Sequence, residues 1–140
     1  MSTWLIDTGP IVAYLVRSDP AHTLVSPALD AFEGLLVTTG AAITEAMHFV
    51  AGAQNGPQSL AEFVRRSQMR VYDLCQPPEL REAARLMTRY ADTPMGFADA
   101  TLVLLAEALG AHDVVTLDRR GFSTYRTRPG DALRLVLDSP

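Results

Sequence analysis

The sequence predicts an α/β fold of three layers, in which helices cover both faces of a central, mostly parallel sheet of four to five strands. Short apolar stretches alternate along the chain with segments whose apolar residues recur at helical spacing. Such alternation is typical of parallel sheets, because a helix usually makes the crossover between two parallel strands. The length of 140 residues and the apolar content of 48% fit one domain spanning residues 1–140.

The predicted strands are short runs of apolar and β-branched residues, most of them bounded by turn-forming or polar residues. In chain order they are residues 4–6, which stop at Asp7; 35–39, which stop at Gly40; 70–74, which precede the Pro77-Pro78 pair; 114–117, which precede Asp118; and, as a short fifth, 133–137.

The predicted helices are segments with apolar residues three or four positions apart. Pro10 suits the first turn of the first helix, where a backbone N–H is not needed. The last helix is the most apolar, and Gly110 is its stop signal. In chain order the predicted helices are residues 10–15, 23–33, 43–50, 58–68, 80–90 and 97–109.

The charge of the chain limits how it can meet nucleic acid. The net charge is −4 and the pI is near 5.2, which is the wrong sign for a protein that coats nucleic acid through bulk electrostatics. Any such role is therefore local. All 12 basic residues are arginine, which suits bidentate contact with phosphate.

A single cysteine and the absence of long apolar stretches bear on the compartment. Cys75 has no partner for an intrachain disulfide or a thiolate zinc site, which fits a reducing cytosol. The first residues do not resemble a signal peptide, and no segment approaches 18 consecutive apolar residues. We therefore expect a cytoplasmic protein without a membrane partner.

Four acidic residues stand where the predicted sheet would gather them. Asp7 ends the first strand and Asp118 follows the fourth, while Glu45 and Asp99 lie in the early turns of two helices. These positions share the carboxyl edge of a parallel sheet, where ligands bind. Carboxylates clustered there would repel one another unless cations bind, and with no cysteine or histidine set the oxygen ligands favour Mg²⁺ or Mn²⁺. Such a site suits metal-assisted cleavage of phosphodiester bonds.

The simpler explanation for each acid alone is a helix cap or a turn residue, but their common edge favours a site. Within such a site the hydroxyls of Thr8 and Thr116 would orient the carboxylates or the attacking water. Arg119 and Arg120 directly follow the fourth acid, so we expect them to contact phosphates of the nucleic acid. The alternative for these arginines is an ordinary solvated surface.

Four segments of the chain resemble, in order and at the expected spacing, the successive motifs of PIN-domain ribonucleases. They are residues 5–15, 43–46, 94–100 and 115–122. The closest resemblance is to the VapC-like toxins of bacterial toxin–antitoxin pairs. The resemblance implies a PIN-like domain in which Asp7, Glu45, Asp99 and Asp118 are the metal-binding and catalytic acids. The implied reaction is Mg²⁺-dependent endonucleolytic cleavage of transfer, ribosomal or messenger RNA.

The same resemblance implies partners for this chain, and it also shows two positions at which the chain differs from related sequences. Members of this family usually form homodimers and are held inactive by a cognate antitoxin inserted into the active-site groove. Related sequences often carry Asp where this chain has Gly96 and Gly121. The four main acids remain, but the departures motivate a second hypothesis, a catalytically weak PIN-like module that binds RNA or a protein partner. Asp92 also matches a frequently acidic position, although we interpret it as a turn residue.

Two other interpretations of the first acid are less favoured. Residues 5–9 also match the apolar-apolar-Asp-Thr-Gly signature of aspartic proteases, but that motif belongs to an almost all-β fold. An aspartate after the first strand is also the phosphoryl acceptor of haloacid dehalogenase-type phosphatases and of receiver domains. Both families use a lysine from a later motif, and this chain contains no lysine.

Overall fold

Five strands form one sheet in the order β3-β2-β1-β4-β5, and every neighbouring pair is parallel. The computed structural model describes residues 1–138. The strands are β1 (Thr3–Ile6), β2 (Leu35–Thr39), β3 (Arg70–Tyr72), β4 (Asp113–Val115) and β5 (Arg134–Leu135). The helices are α1 (Thr8–Leu15), α2 (His22–Ala31), α3 (Gly40–Val50), α4 (Gly56–Ser67), α5 (Pro77–Arg89), α6 (Phe97–Leu109) and α7 (Arg119–Thr124), and a 3-10 helix (Val136–Asp138) follows β5.

Helices cover both faces of the sheet. Successive strand residues point to opposite faces, so each strand contributes side chains to two cores. Leu5 and Val114 belong to the core formed with α5, α6 and α7. Their chain neighbours Ile6 and Val115 belong to the core formed with α1, α2, α3 and α4. The predicted three-layer α/β/α fold with a parallel sheet is therefore confirmed. The helices on both faces exclude the all-β fold of aspartic proteases.

The structure differs from the sequence prediction mainly at the ends of strands. The fourth strand ends at Val115, not at residue 117, because the Thr116 side chain accepts the backbone N–H of Asp118 and turns the chain. Because β4 is this short, only Arg134 and Leu135 of β5 pair with it. The predicted strand at 133–137 was therefore too long. The third strand likewise ends at Tyr72. It gives way to a turn in which Asp73 accepts the backbone N–H of Cys75, at 2.9 Å.

Helix ends follow local capping chemistry. Asp7 is the N-cap of α1, and its side chain accepts the N–H of Thr8. Gly110 ends α6 in the left-handed conformation, with φ of 63°, as the stop signal predicted. The short helix α7 was not predicted, and it begins at an N-cap supplied by Asp118. Among residues 1–138, no helix has both the length and the apolar character needed to cross a membrane.

Candidate active site

The four predicted acids lie at the edge of the sheet where the parallel strands end. Asp7 directly follows β1 and Asp118 lies just beyond β4, while Glu45 and Asp99 lie on α3 and α6. Their charges act on one another: the negative charges of Asp99 and Glu45 both raise the pKa of Asp7. The charges of Asp118 and Glu45 likewise raise the pKa of Asp99. The fold therefore brings acids from distant parts of the chain within electrostatic reach.

Asp7 is the most constrained of these acids. It is only 7% exposed, and its backbone N–H donates to the carbonyl of Val115 at 2.9 Å, which ties it to β4. Its Oδ1 accepts the N–H of Thr8 at 2.8 Å, and its Oδ2 accepts the hydroxyl of Thr116 at 2.9 Å. Burial above all, and then the charge of Asp99, raise the pKa of Asp7 to about 7, against the opposing effect of the two hydrogen bonds.

Asp99 and Asp118 are held by the backbone at helix starts. Oδ2 of Asp99 accepts the N–H of Gly96 at 3.0 Å, which fixes the carboxylate over the first turn of α6. Burial is the main cause that raises the pKa of Asp99. Oδ1 of Asp118 accepts the N–H of Gly121 at 3.0 Å and so caps α7. Glu45 is exposed on α3 and completes the set.

The chemistry of this donor set suits a hard divalent cation. The acids provide only carboxylate oxygens, and their mutual repulsion together with the burial of Asp7 disfavours full ionisation unless positive charge is supplied. As the side chains stand in residues 1–138, no three or more His, Cys, Asp or Glu residues are grouped so that they could hold a metal ion. Asp99 and Asp118 each turn one oxygen to a backbone N–H.

The two predicted supporting threonines differ in what they contact. The hydroxyl of Thr116 donates to Asp7, and the same oxygen accepts the N–H of Asp118 at 3.0 Å, so it connects two of the acids. The hydroxyl of Thr8 instead donates to the carbonyl of Ala42 at 3.3 Å, because α1 packs against α3 here. Only the backbone N–H of Thr8 contacts a carboxylate.

A buried threonine pair supports the site and was missed from the sequence. The hydroxyls of Thr39 and Thr101 lie 2.8 Å apart and join the start of α3 to α6, the helices that carry Glu45 and Asp99. Thr39 also caps α3 by accepting the N–H of Ala42 at 3.2 Å. A threonine at the end of a predicted strand, ahead of a helical segment, is the sequence signal that points to such an N-cap.

Tyr125 also borders the site and was not predicted. The residue is fully buried, and its hydroxyl donates to the carbonyl of Pro94 at 3.2 Å. Burial raises the pKa of Tyr125 well above its ordinary value, and the charges of Asp99, Asp118 and Asp7 raise it further. No local pattern in the sequence distinguishes this tyrosine from a core aromatic residue.

The arginines near Asp118 have different roles. Arg119 pairs with Asp138, with 3.1 Å between Nε and Oδ2. Arg126 donates through one guanidinium nitrogen to three carbonyls at the end of α7. Arg120 is exposed, and within the described part of the chain its guanidinium makes no ion pair or hydrogen bond. Of the two arginines expected to contact RNA, Arg120 is thus the one without an internal partner.

The two glycines that replace acids of related sequences lie in different surroundings. A Cβ added to Gly96 would lie 3.6 Å from Oδ2 of Asp99, which is ordinary van der Waals contact. A Cβ added to Gly121 would overlap Oδ2 of Asp118 and lie 2.9 Å from the hydroxyl oxygen of Tyr125. The Asp118 carboxylate therefore occupies the space that a side chain at position 121 would take.

Comparisons with known proteins place the chain in a family. The family model described as PIN domain matches residues 4–127. Ribonuclease VapC26 of Mycobacterium tuberculosis is 32% identical over 134 residues, which cover 94% of this chain and 98% of that protein. The crystal structure of Mycobacterium tuberculosis VapC20, titled as a sarcin-ricin loop cleaving toxin, matches with a TM-score of 0.74 and 17% identity, over 84% of this chain and 91% of that one. Because the family model spans most of the chain and includes all four acids, the protein belongs to the PIN domain family.

Proposed function

We propose that this protein is an endoribonuclease that hydrolyses RNA phosphodiester bonds with Mg²⁺ or Mn²⁺ at a site formed by Asp7, Glu45, Asp99 and Asp118. The observation that carries the proposal is the buried Asp7, whose pKa is raised to about 7 by burial and by the charge of a second acid. Perturbed carboxylates of this kind are frequent at catalytic sites. The name of the relative Ribonuclease VapC26 supports RNA as the substrate.

The residues of the site have distinct tasks in this proposal. Asp7 would provide a rigid carboxylate, since both of its oxygens already accept hydrogen bonds that fix their orientation. Asp99 and Asp118 each use one oxygen on a backbone N–H and would turn toward the ion, with Glu45 at the exposed side. When bound, a divalent cation supplies Lewis acidity that activates water and stabilises the charge developing on the phosphate. Arg120 would contact a neighbouring phosphate of the RNA.

The biological role we propose is that of the toxin in a toxin–antitoxin pair, in the cytoplasm, with residues 1–140 forming one domain. The resemblance of the chain to VapC-like toxins supports this role, and Ribonuclease VapC26 is a relative along nearly its whole length. A groove of about 710 Å³ between α1, α2 and α4, which none of the four acids lines, supports docking of an antitoxin segment outside the active site. Its lining includes the aromatic side chains of Tyr14, Phe32 and Phe63. Phe49, which is 59% exposed on α3, supports a further contact such as a homodimer interface.

The test is cleavage of a mixed pool of transfer and ribosomal RNA by the purified chain with Mg²⁺, with Mn²⁺ and with EDTA. We expect discrete fragments that require a metal. Asp7→Asn and Asp99→Asn should each slow cleavage at least about 100-fold, since loss of a residue that merely supports a ligand typically costs 10–100-fold. The matched control is Asp92→Asn, which removes an exposed turn carboxylate and should leave cleavage unchanged.

Two results would contradict this function. The first is cleavage by Asp99→Asn at the rate of the unmodified chain. The second is the absence of cleavage by protein that is folded and free of inhibitor. If that inactive protein still binds RNA or a protein partner, and Asp99→Ala leaves the binding intact, the catalytically weak module becomes the better description. The replacement of acids by Gly96 and Gly121 favours that alternative.

A further inference from the structure

Tyr125 lies between the segments that carry two of the acids. Its hydroxyl donates to the carbonyl of Pro94, in the loop that leads into α6 and to Asp99. The same hydroxyl oxygen is 2.9 Å from the position of a Cβ at Gly121, and Oδ2 of Asp118 borders that position too. The phenol therefore contacts the loop ahead of one acid and adjoins the carboxylate of the other.

The ring of Tyr125 is held so that its hydroxyl has little freedom. Phe122 and Tyr90 pack edge-on against it, with ring centroids 5.2 and 5.1 Å away. The hydroxyl of Tyr90 accepts the backbone N–H of Arg126 at 3.0 Å, which joins α5 to the end of α7. Because Tyr125 is also fully buried, its position is defined by α5, α7 and the Pro94 loop together.

We propose that Tyr125 is a positioning residue, whose hydroxyl fixes the separation of Asp99 and Asp118 by joining the Pro94 loop to the end of α7. The catalytic consequence of this inference rests on the proposed nuclease function. The geometry defines the donor: the phenol gives its single proton to the Pro94 carbonyl, at 3.2 Å, from a ring that is fully buried. Loss of that bond would release the loop from α7.

The experiment compares Tyr125→Phe with Tyr90→Phe in the full chain. Each variant removes one phenol oxygen from the same cluster of rings, and each oxygen makes one hydrogen bond to the backbone. The first measurement, made without metal, is the carboxyl ¹³C chemical shift of Asp99 and Asp118 at one neutral pH. The second is the affinity for Mn²⁺ by calorimetry, and the third is the cleavage rate.

We expect Tyr125→Phe to move both carboxyl shifts and to weaken Mn²⁺ affinity and cleavage by about 10–100-fold, the usual cost of losing a residue that orients ligands. Tyr90→Phe should leave all three quantities unchanged, although its stability falls. Unmoved carboxyl shifts in Tyr125→Phe, or equal effects of the two variants, would overturn the positioning role. If the shifts move but the unmodified chain binds no Mn²⁺ and cuts no RNA, the positioning role stands and the proposed function fails.

Discussion

The hydroxyl of Thr116 donates a 2.9 Å hydrogen bond to Oδ2 of Asp7, across the boundary between β4 and β1. The same oxygen accepts the N–H of Asp118 at 3.0 Å, and its single proton points to Asp7, because an ionised carboxylate can only accept. One threonine thus orients the most buried acid and shapes the turn that leads to a second. The backbone of Asp7 is tied to the same strand through Val115.

Thr116→Val should lower both stability and cleavage. The substitution keeps the shape of the side chain but leaves an oxygen of buried Asp7 without its donor, which typically costs about 1–3 kcal/mol of unfolding free energy. We expect cleavage to fall by about 10–100-fold, because Asp7 loses one of its two orienting bonds. Thermal unfolding and RNA cleavage are the measurements. Thr116→Ser, which keeps the hydroxyl, is the control, and equal loss in both variants would show that the methyl group matters instead.

The raised pKa of Asp7 predicts how stability changes with pH in the absence of metal. The carboxyl binds its proton more tightly in the folded chain, with a pKa of about 7, than in the unfolded chain, where the ordinary value is 3.8. Its contribution to stability is therefore fully present below about pH 4 and is lost as the pH rises through about 7. At about 1.4 kcal/mol per pKa unit, the loss is on the order of 4 kcal/mol.

Chemical denaturation at several pH values, in EDTA, measures this loss. Asp7→Asn should be more stable than the unmodified chain above about pH 7, because its neutral amide has no buried charge to accommodate. Below about pH 4 the two should converge, since Asp7 is then protonated in both the folded and unfolded states. A constant difference across the whole range would mean that Asp7 titrates normally. Added Mg²⁺ should stabilise the unmodified chain at high pH and leave Asp7→Asn unchanged.

Substitution by alanine should have different effects on metal affinity at the two glycines of the site. Gly121→Ala should displace the Asp118 carboxylate, which the new Cβ would overlap, while the gain in helix propensity of about 1 kcal/mol offsets the weakened cap. We expect a weaker Mg²⁺ affinity, slower cleavage and a loss of stability, because the new Cβ would also lie 2.9 Å from the hydroxyl oxygen of the buried Tyr125. Gly96→Ala places its Cβ at ordinary contact distance from Asp99 and should leave metal affinity unchanged. Calorimetry on both variants measures the difference, and equal affinities would contradict it.

The main architecture and the edge where the acids lie could be predicted, because both follow from regular patterns. Alternating strands and helices determine that Asp7 and Asp118 lie at the ends of parallel strands. The helix α7 could not be predicted in this way, since its six residues are too few for a periodic pattern and include Gly121. It is stabilised by contacts distant in sequence, such as the burial of Phe122 and Tyr125 in the core under α5 and α6.

The roles of individual polar side chains depended on distances that the sequence does not contain. Thr8 follows one predicted strand and Thr116 lies near the end of another. Only the hydroxyl of Thr116 contacts an acid, because α3 approaches Thr8 closely enough for Ala42 to accept its proton. The neighbouring residues Arg119 and Arg120 differ in their contacts for the same reason. Arg119 meets Asp138 from the 3-10 helix after β5, a contact between residues 19 positions apart.

This difference between the arginines yields a final prediction about RNA binding. Arg120→Gln should weaken binding and reduce the slope of log affinity against log salt by about 0.7, the value for one contact with a single-stranded phosphate. Arg119→Gln should have a smaller effect, because Arg119 already pairs with Asp138, although such exposed pairs are weak. The control is Arg65→Gln, which removes an exposed arginine paired with Glu62 on α4. Fluorescence anisotropy with Asp99→Asn as the background prevents cleavage during the titration. A slope that falls equally in all three variants would show that the proteins respond to net charge and that Arg120 makes no specific phosphate contact.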